Sequence, residues 1–524
     1  GIRCIWLKCV LHAGVLFFDR AGSSMQASLA RFAAPHVTVV GAGLVGLTSA
    51  EALLRHGCRV TLVDRQKQVA SECSFGNAAL FMRSYFRPKT ATPSDLFVWA
   101  TRRSEPVHVS WRAIADPQMI AFGLRFFLAG PQRELQIRNA TQVSERLASL
   151  STRQFESIRK EYSLQTGILE GGLLMFFRDA AKLKAAIDEQ VAVYSPQQQQ
   201  EFFRVVSARE CVEMEPALAA QEADLSGGIH WPTDKTVCPL AFSRELATSL
   251  SSGDLELRLA EQVHGLELDG GHVVVKTSTG EFETGAVVVA AGAQTGQLLR
   301  RWRISDLPPI PLYGMRGHSM TLDVTHLAGQ DKHVLSRSVC DGDSMTWMSP
   351  LPMDSGAPKL RVVGFGDFDG WEYGPSAIRP WRMTQLRTAA EKTIPALVSP
   401  AAQASLQHPP VAATSLEGLC SEADTSTRWC GLRPMSPDGL PLVGRISSHV
   451  PLYVNTGHGS SGWSLSPGCA ELLALSVVHE QQRLDVSKEP IDNEARHLLQ
   501  HLDPHRFRWS RVLQSARSQW LGMD

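Results

Sequence analysis

The run Val37-Thr38-Val39-Val40-Gly41-Ala42-Gly43-Leu44-Val45-Gly46 decides the fold. Four β-prone residues lead straight into G-x-G-x-x-G. A helical pattern follows at Leu47, Ala50, Leu53 and Leu54, and a second strand, Arg59-Val60-Thr61-Leu62-Val63, leads to Asp64. A dinucleotide site needs these parts in this order. Gly41 allows the tight turn, Gly43 lets backbone approach a pyrophosphate, and Gly46 lets the helix pack on the sheet. Ala42, Leu44 and Val45 complete the turn, and the pyrophosphate rests on the helix N-terminus. Asp64, with Arg65 beside it, stands where an acid accepts ribose hydroxyls. The motif alone is weak evidence. The strand, helix, second strand and terminal acid make it specific.

Composition sets the frame around this motif. The chain has 524 residues, enough for two or three domains, and an apolar fraction of 44%, that of a globular protein. Formal net charge is zero. No long run of like charge stands out, so binding of nucleic acid by bulk electrostatics is unsupported. No apolar stretch approaches the ~20 residues that span a bilayer, and no amphipathic anchor stands out, which leaves membrane attachment open. The ten cysteines contain no C-x-x-C pair, so neither a zinc site nor a disulfide framework is expected. Reduced thiols in the cytoplasm are the expectation. Residues 1–35 carry Arg3, Lys8, Arg20 and Arg31 against Asp19, a pattern open to a leader or to mitochondrial import.

Further along, Ser71 to Leu80 is a second glycine-containing loop, and Ser110 to Gln190 reads as mostly helical. Ser195-Pro196 and the four glutamines after it read as a low-complexity loop. Pro239 to Leu250 reads as a helix. Val263 to Leu266 and His272 to Thr277 read as antiparallel strands around Asp269-Gly270-Gly271. Val287 to Val289 is a buried strand that ends in a small-residue turn through Gly292, with a helix from Gln294 to Arg300. Pro308 to Gly366 alternates short strands with turns. Leu452 to Thr456 is a strand, followed by Gly457-His458-Gly459-Ser460-Ser461-Gly462 and a helix from about Trp463 to Val478.

NAD and FAD share the first glycine motif, so distant segments must discriminate between them. The block Gly431-Leu432-Arg433-Pro434-Met435-Ser436-Pro437-Asp438-Gly439-Leu440-Pro441-Leu442-Val443-Gly444-Arg445, continued by Asn455 to Trp463, resembles the D-amino acid dehydrogenase branch of the FAD-dependent amine oxidoreductases. Glycine oxidase and sarcosine oxidase belong to the same superfamily. Residues 36–80, 227–239 and 287–295 share the likeness, which extends loosely from 36 to about 508 and omits the first 35.

The resemblance implies an α/β fold. A Rossmann-type FAD domain would be built from 36–110, 225–300 and 428–478, and an α+β substrate domain with a mixed or antiparallel sheet from 111–224 and 301–427. A leader at 1–35 and a helical tail at 479–524 complete the expected division. The resemblance also implies that Gly41 to Gly46 and Asp64 hold the ADP half of FAD, and that Val263 meets the adenine side. Asn77, Ala78 and Ala79 would pass by the flavin, and Gly457 to Gly462 would approach its ring. The bacterial dehydrogenases read Asn-Ala-Gly-Gln where this chain reads Asn77-Ala78-Ala79-Leu80. That difference bears on substrate or acceptor preference rather than on FAD.

The chemistry expected is hydride transfer from an amino acid's α-carbon to the flavin, which yields a 2-oxo acid after imine hydrolysis. Arg433 is the expected carboxylate clamp, because a guanidinium presents a planar fork. His318 and Tyr313 are further substrate-side candidates. No general base is required if the amine arrives deprotonated, and no metal is expected. The acceptor is either a quinone or oxygen. The alternatives are a glycine- or sarcosine-type oxidase, a flavin-binding partner without turnover and, more remotely, a nicotinamide enzyme.

Overall fold

A computed structural model describes residues 34–83, 93–103, 105–128, 133–251, 253–269, 272–325, 327, 334–351, 358–398, 426–481 and 491–508. The expected leader falls almost wholly outside these residues, as do Gly270, Gly271 and much of the expected tail.

Two large sheets organise the chain. The first has six strands in the order Leu255–Arg258, Arg59–Val63, His36–Val40, Ala286–Val289, Leu452–Thr456 and Leu442–Arg445. All neighbours are parallel except the last pair. His36–Val40 is an internal strand, and both of its faces are covered. Val37 and Val39 face a core built with the helices Leu44–Arg55, Arg133–Glu161 and Gly462–Gln481. Val40 joins Val287 and Val289 against the antiparallel strands Val263–Asp269 and His272–Thr277. Burial on both faces explains why these strands read as apolar runs rather than as alternations.

The second sheet has nine strands. Its centre is a set of antiparallel neighbours: Ser426–Met435, Tyr313–Asp323, Lys359–Phe368 and Thr346–Leu351. Ser338–Asp341, Leu173–Phe177, Gly227–Trp231 and Arg204–Val206 extend it, and Val107–Val109 pairs with Lys359–Phe368.

Several expectations change here. Tyr313–Asp323 and Lys359–Phe368 are long strands rather than short ones. Gly227–Trp231 and Ser426–Met435, assigned from sequence to the cofactor segments, pair within this second sheet. Apolar character could not separate two buried sheets. The stretch expected to be mostly helical also contains the strand Leu173–Phe177. Pro196–Phe202, expected as a loop, is a helix. Ser195 and Gln198 cap it reciprocally, and the glutamines form its body.

Candidate cofactor and substrate site

Between the two sheets lies a cavity of about 1150 Å³. That slightly exceeds the ~300–1,000 Å³ usual for small-molecule sites. At one end is the first glycine motif. Gly41 has φ +112°, and a Cβ there would meet the Ala290 carbonyl oxygen at 2.6 Å. A Cβ on Gly46 would meet the Gly41 oxygen at 1.7 Å. Gly43 is different. Its side faces open space, with Ser74 Oγ the nearest atom at 3.6 Å. The helix Leu44–Arg55 starts here with no side-chain cap from Gly43, and Gly43, Leu44 and Val45 line the cavity. The Leu44 N–H donates to Ser74 Oγ at 3.1 Å. A helix terminus with this open approach suits an anion.

Asp64 stands beside it on the cavity wall. Its carboxylate accepts the Ala42 N–H at 2.6 Å and the Gln66 N–H at 2.7 Å. Burial pushes its pKa up, against the pull of those two bonds. Lone pairs remain for a ligand's hydroxyls. Arg65 is held by Glu72 and by Gln294 Oε1 at 2.9 Å. Val263 and Gly292 also line this region.

At the other end Arg433 projects from the strand Ser426–Met435. Strand alternation puts Trp429, Gly431 and Arg433 on one face. The cross-strand partners on that face are Met315, opposite Arg433, Gly317, opposite Gly431, and Ser319, opposite Trp429. A Cβ on Gly317 would stand 2.6 Å from Arg433 Nη2, and one on Gly431 would stand 2.1 Å from the Trp429 ring. The missing side chains therefore make room for the guanidinium and the indole. Opposite Gly317 the neighbouring strand bulges: Arg316 pairs with Asp367 and His318 with Gly364, which leaves Phe365 and Gly366 between them. Phe365 sits at φ +64°. Its carbonyl accepts from Arg433 Nη1 at 2.7 Å and fixes one arm of the fork. Among the described residues the guanidinium has no ion-pair partner.

The turn at Gly457 to Gly462 joins the two ends. The Gly459 N–H donates to the Pro434 carbonyl at 2.9 Å, beside Arg433. His458, Gly459, Ser460, Ser461 and Gly462 line the cavity, and the helix Gly462–Gln481 begins there. His458 is 3% exposed, and neither ring nitrogen is hydrogen-bonded among the described residues. Burial pushes its pKa down to about 3, so the ring is neutral. Asn77 and Ala78 line the wall as well. Arg361 holds their loop by donating to the Phe75 and Asn77 carbonyls at 3.2 and 3.1 Å.

Two substrate-side candidates do not reach the cavity. Tyr313 is buried, packs on Phe122, Phe368 and Trp371, and donates to Asp116 Oδ2 at 3.1 Å. His318 alternates with Gly317 and Ser319, so it faces the other side of the sheet, 3.8 Å from Asp367. Burial and the positive charges of Arg316, Arg382 and Arg433 push its pKa well down. Ala42, Gly46, Ala79 and Gly457 stand behind the wall and shape the backbone. Sequence reasoning missed Ser74, Phe365, Trp429 and Arg361. The glycines at 76, 317 and 431 were the available signal, because a Cβ on Gly76 would also strike the Trp429 ring, at 2.4 Å. Among the described residues no group of His, Cys, Asp or Glu could hold a metal. No helix there is long and apolar enough to cross a membrane.

FAD fits these residues: an open helix terminus for its pyrophosphate, the Asp64 carboxylate for its ribose, and an unbonded His458 ring where its tricyclic end would lie. The family model described as DAO, FAD dependent oxidoreductase, matches residues 36–475. The chain therefore belongs to the FAD-dependent oxidoreductases of that family, and FAD is its cofactor. A protein of Pseudomonas aeruginosa named D-amino acid dehydrogenase 2 is 30% identical over 87% of this chain and 97% of its own length. The D-amino acid dehydrogenase of Vibrio vulnificus is 27% identical over 84% of this chain and 96% of its own. Among solved structures, glycine oxidase from Bacillus cereus superposes with a TM-score of 0.57 at 18% identity, covering 87% of this chain and all of that one. This last likeness speaks for the fold alone.

Proposed function

We propose that this protein is a D-amino acid dehydrogenase that converts D-amino acids to 2-oxo acids. The observation that carries the reading is Arg433. Among the described residues it is a cavity-facing guanidinium without a carboxylate partner, one arm fixed by the Phe365 carbonyl, and its remaining donors suit a substrate carboxylate. The two relatives above, similar over nearly their whole length, support the choice of D-amino acids.

In this reading Gly41 to Gly46 and Asp64 hold the ADP half of the cofactor, with Arg65, Val263 and Gly292 around it. Asn77, Ala78 and the turn Gly457 to Gly462 bound its ring. FAD supplies the two-electron sink for the hydride that leaves the substrate's α-carbon. Arg433 pins the carboxylate, Trp429 and Phe365 wall the space beside it, and the neutral His458 ring offers a hydrogen bond without adding charge. The N-terminus of the helix Gly462–Gln481 presents its positive end to the same region. The sequence division into FAD and substrate domains is kept as part of this proposal, with Ser426–Met435 on the substrate side. Among the described residues Cys73, Cys211, Cys238, Cys340, Cys430 and Cys469 are free thiols, which suits a reducing compartment such as the cytoplasm.

Anaerobic titration with D-alanine, D-proline, glycine, sarcosine and L-alanine, followed at the flavin band, tests this. D-amino acids should bleach the flavin and L-alanine should not. Arg433→Leu should keep its FAD and lose about 10²-fold in kcat/KM, the loss expected for a charge-assisted pair. Bleaching by glycine or sarcosine alone, followed by fast reoxidation in air, would identify an amine oxidase instead.

A further inference from the structure

The indole of Trp429 lines the cavity and is gripped on two sides. A Cβ on Gly76 would stand 2.4 Å from its Cε3 atom, and one on Gly431 would stand 2.1 Å from its Cη2 atom. Only glycine leaves room for the ring at these two positions. Gly76 belongs to the loop that Arg361 holds, and Gly431 to the same strand as Trp429. Phe75 adds a tilted ring contact, with centroids 6.5 Å apart. The two glycines press main chain against the indole, with no side chain to swing aside. A close-packed wall of this kind excludes an oversized ligand instead of yielding to it.

The ring's direction gives this wall a purpose. Its Cζ2 and Cη2 edge reaches along the strand over Gly431, toward Arg433. The Arg433 guanidinium reaches back over Gly317, with Nη2 2.6 Å from the Cβ position there. Gly431 and Gly317 are directly opposite each other, and the Cβ positions of such a pair lie ~4.5–5.5 Å apart. The indole edge and the guanidinium are therefore separated by no more than about 10 Å. A carboxylate hydrogen bond takes up ~2.9 Å of that gap, and the closing carbon-to-carbon contact ~3.7 Å. The remainder holds the carboxyl carbon, the α-carbon and about one side-chain carbon. We propose that Trp429 sets the size limit of the substrate: it admits D-alanine and turns away D-amino acids with aromatic or long aliphatic side chains. This rests on the reading of Arg433 as the carboxylate clamp of a D-amino acid dehydrogenase. Trp429 is a specificity-determining residue and takes no part in the clamp.

Turnover of the FAD-loaded full chain with a soluble dye, on D-alanine and on D-phenylalanine, tests this. Wild type should prefer D-alanine by at least about tenfold in kcat/KM. Trp429→Ala opens the gap and should raise the D-phenylalanine to D-alanine ratio of kcat/KM about 10–100-fold, the discrimination that small changes of pocket volume give. Trp429→Phe keeps a ring between the two glycines and should raise the ratio by about threefold or more; it decides the matter if Trp429→Ala fails to retain FAD. A merely structural loss scales both substrates together and leaves the ratio where it was. Arg433→Leu should do the same, because it removes a contact common to both. Wild type that uses the two substrates equally would overturn the size limit, and so would variants whose ratio stays at the wild-type value. Either result would leave the D-amino acid reading standing. A wild-type flavin that no D-amino acid reduces would overturn both.

Discussion

The two ends of the cavity both depend on glycine, but in opposite ways. At the pyrophosphate end the obstacle to a side chain is backbone: the Ala290 carbonyl at 2.6 Å from a Cβ on Gly41, and the Gly41 oxygen at 1.7 Å from one on Gly46. At the substrate end the obstacle is the working side chain itself, the Arg433 guanidinium at 2.6 Å from a Cβ on Gly317. Backbone in a close-packed sheet cannot retreat, whereas the far end of an arginine can. The first set of glycines protects the fold of the site. The second protects the position of one functional group.

This difference predicts unequal effects from the same chemical change. Gly41→Ala adds a methyl against fixed backbone at φ +112°, and should cost about 3 kcal/mol or more. The purified protein should come off the column without FAD and with a lowered urea midpoint. A yellow, fully active Gly41→Ala enzyme would break the distinction. Gly317→Ala should fold and bind FAD normally. Its methyl displaces the guanidinium and disturbs the bond to the Phe365 carbonyl. The expected result is a KM raised about tenfold with kcat less affected, a partial loss of one charge-assisted contact. If Gly317→Ala also lost its flavin, the two ends would be one structural unit rather than two.

The same asymmetry governs what could be read from sequence. Gly41 to Gly46 and Asp64 are close in the chain, and each answers to a local geometric need, so strand, turn, helix and acid were legible together. The parallel strand at Val287 and the late turn at Gly457 were legible for a similar reason. The substrate end is assembled by register. Trp429 lies beside Ser319, and Gly431 beside Gly317, only because two strands more than a hundred residues apart pair as they do. Arg433 is legible through the resemblance of its motif, not through its neighbours in sequence. Tyr313 and His318, expected on the substrate side, share the strand Tyr313–Asp323, where alternation and packing turn both away from the cavity.

The smallest effect is expected at Ala79, where this chain departs from the Asn-Ala-Gly-Gln of the bacterial dehydrogenases. Ala79 is fully buried at φ +54°, a left-handed conformation that costs a non-glycine residue about 1–2 kcal/mol. Ala79→Gly would relieve that strain. It would also remove a buried methyl worth about 0.8 kcal/mol and raise the unfolded chain's entropy by roughly another 0.5–1 kcal/mol. The terms nearly cancel, so urea unfolding of wild type and variant should agree within about 1 kcal/mol. Near-cancellation explains how the chain tolerates alanine here. The Asn77 side chain, which accepts the Ala79 N–H at 2.9 Å, and Arg361 hold the loop's shape whichever residue stands at 79. A stabilisation beyond about 2 kcal/mol would mean that strain dominates, and that the loop belongs with Gly41 among the positions where backbone geometry decides.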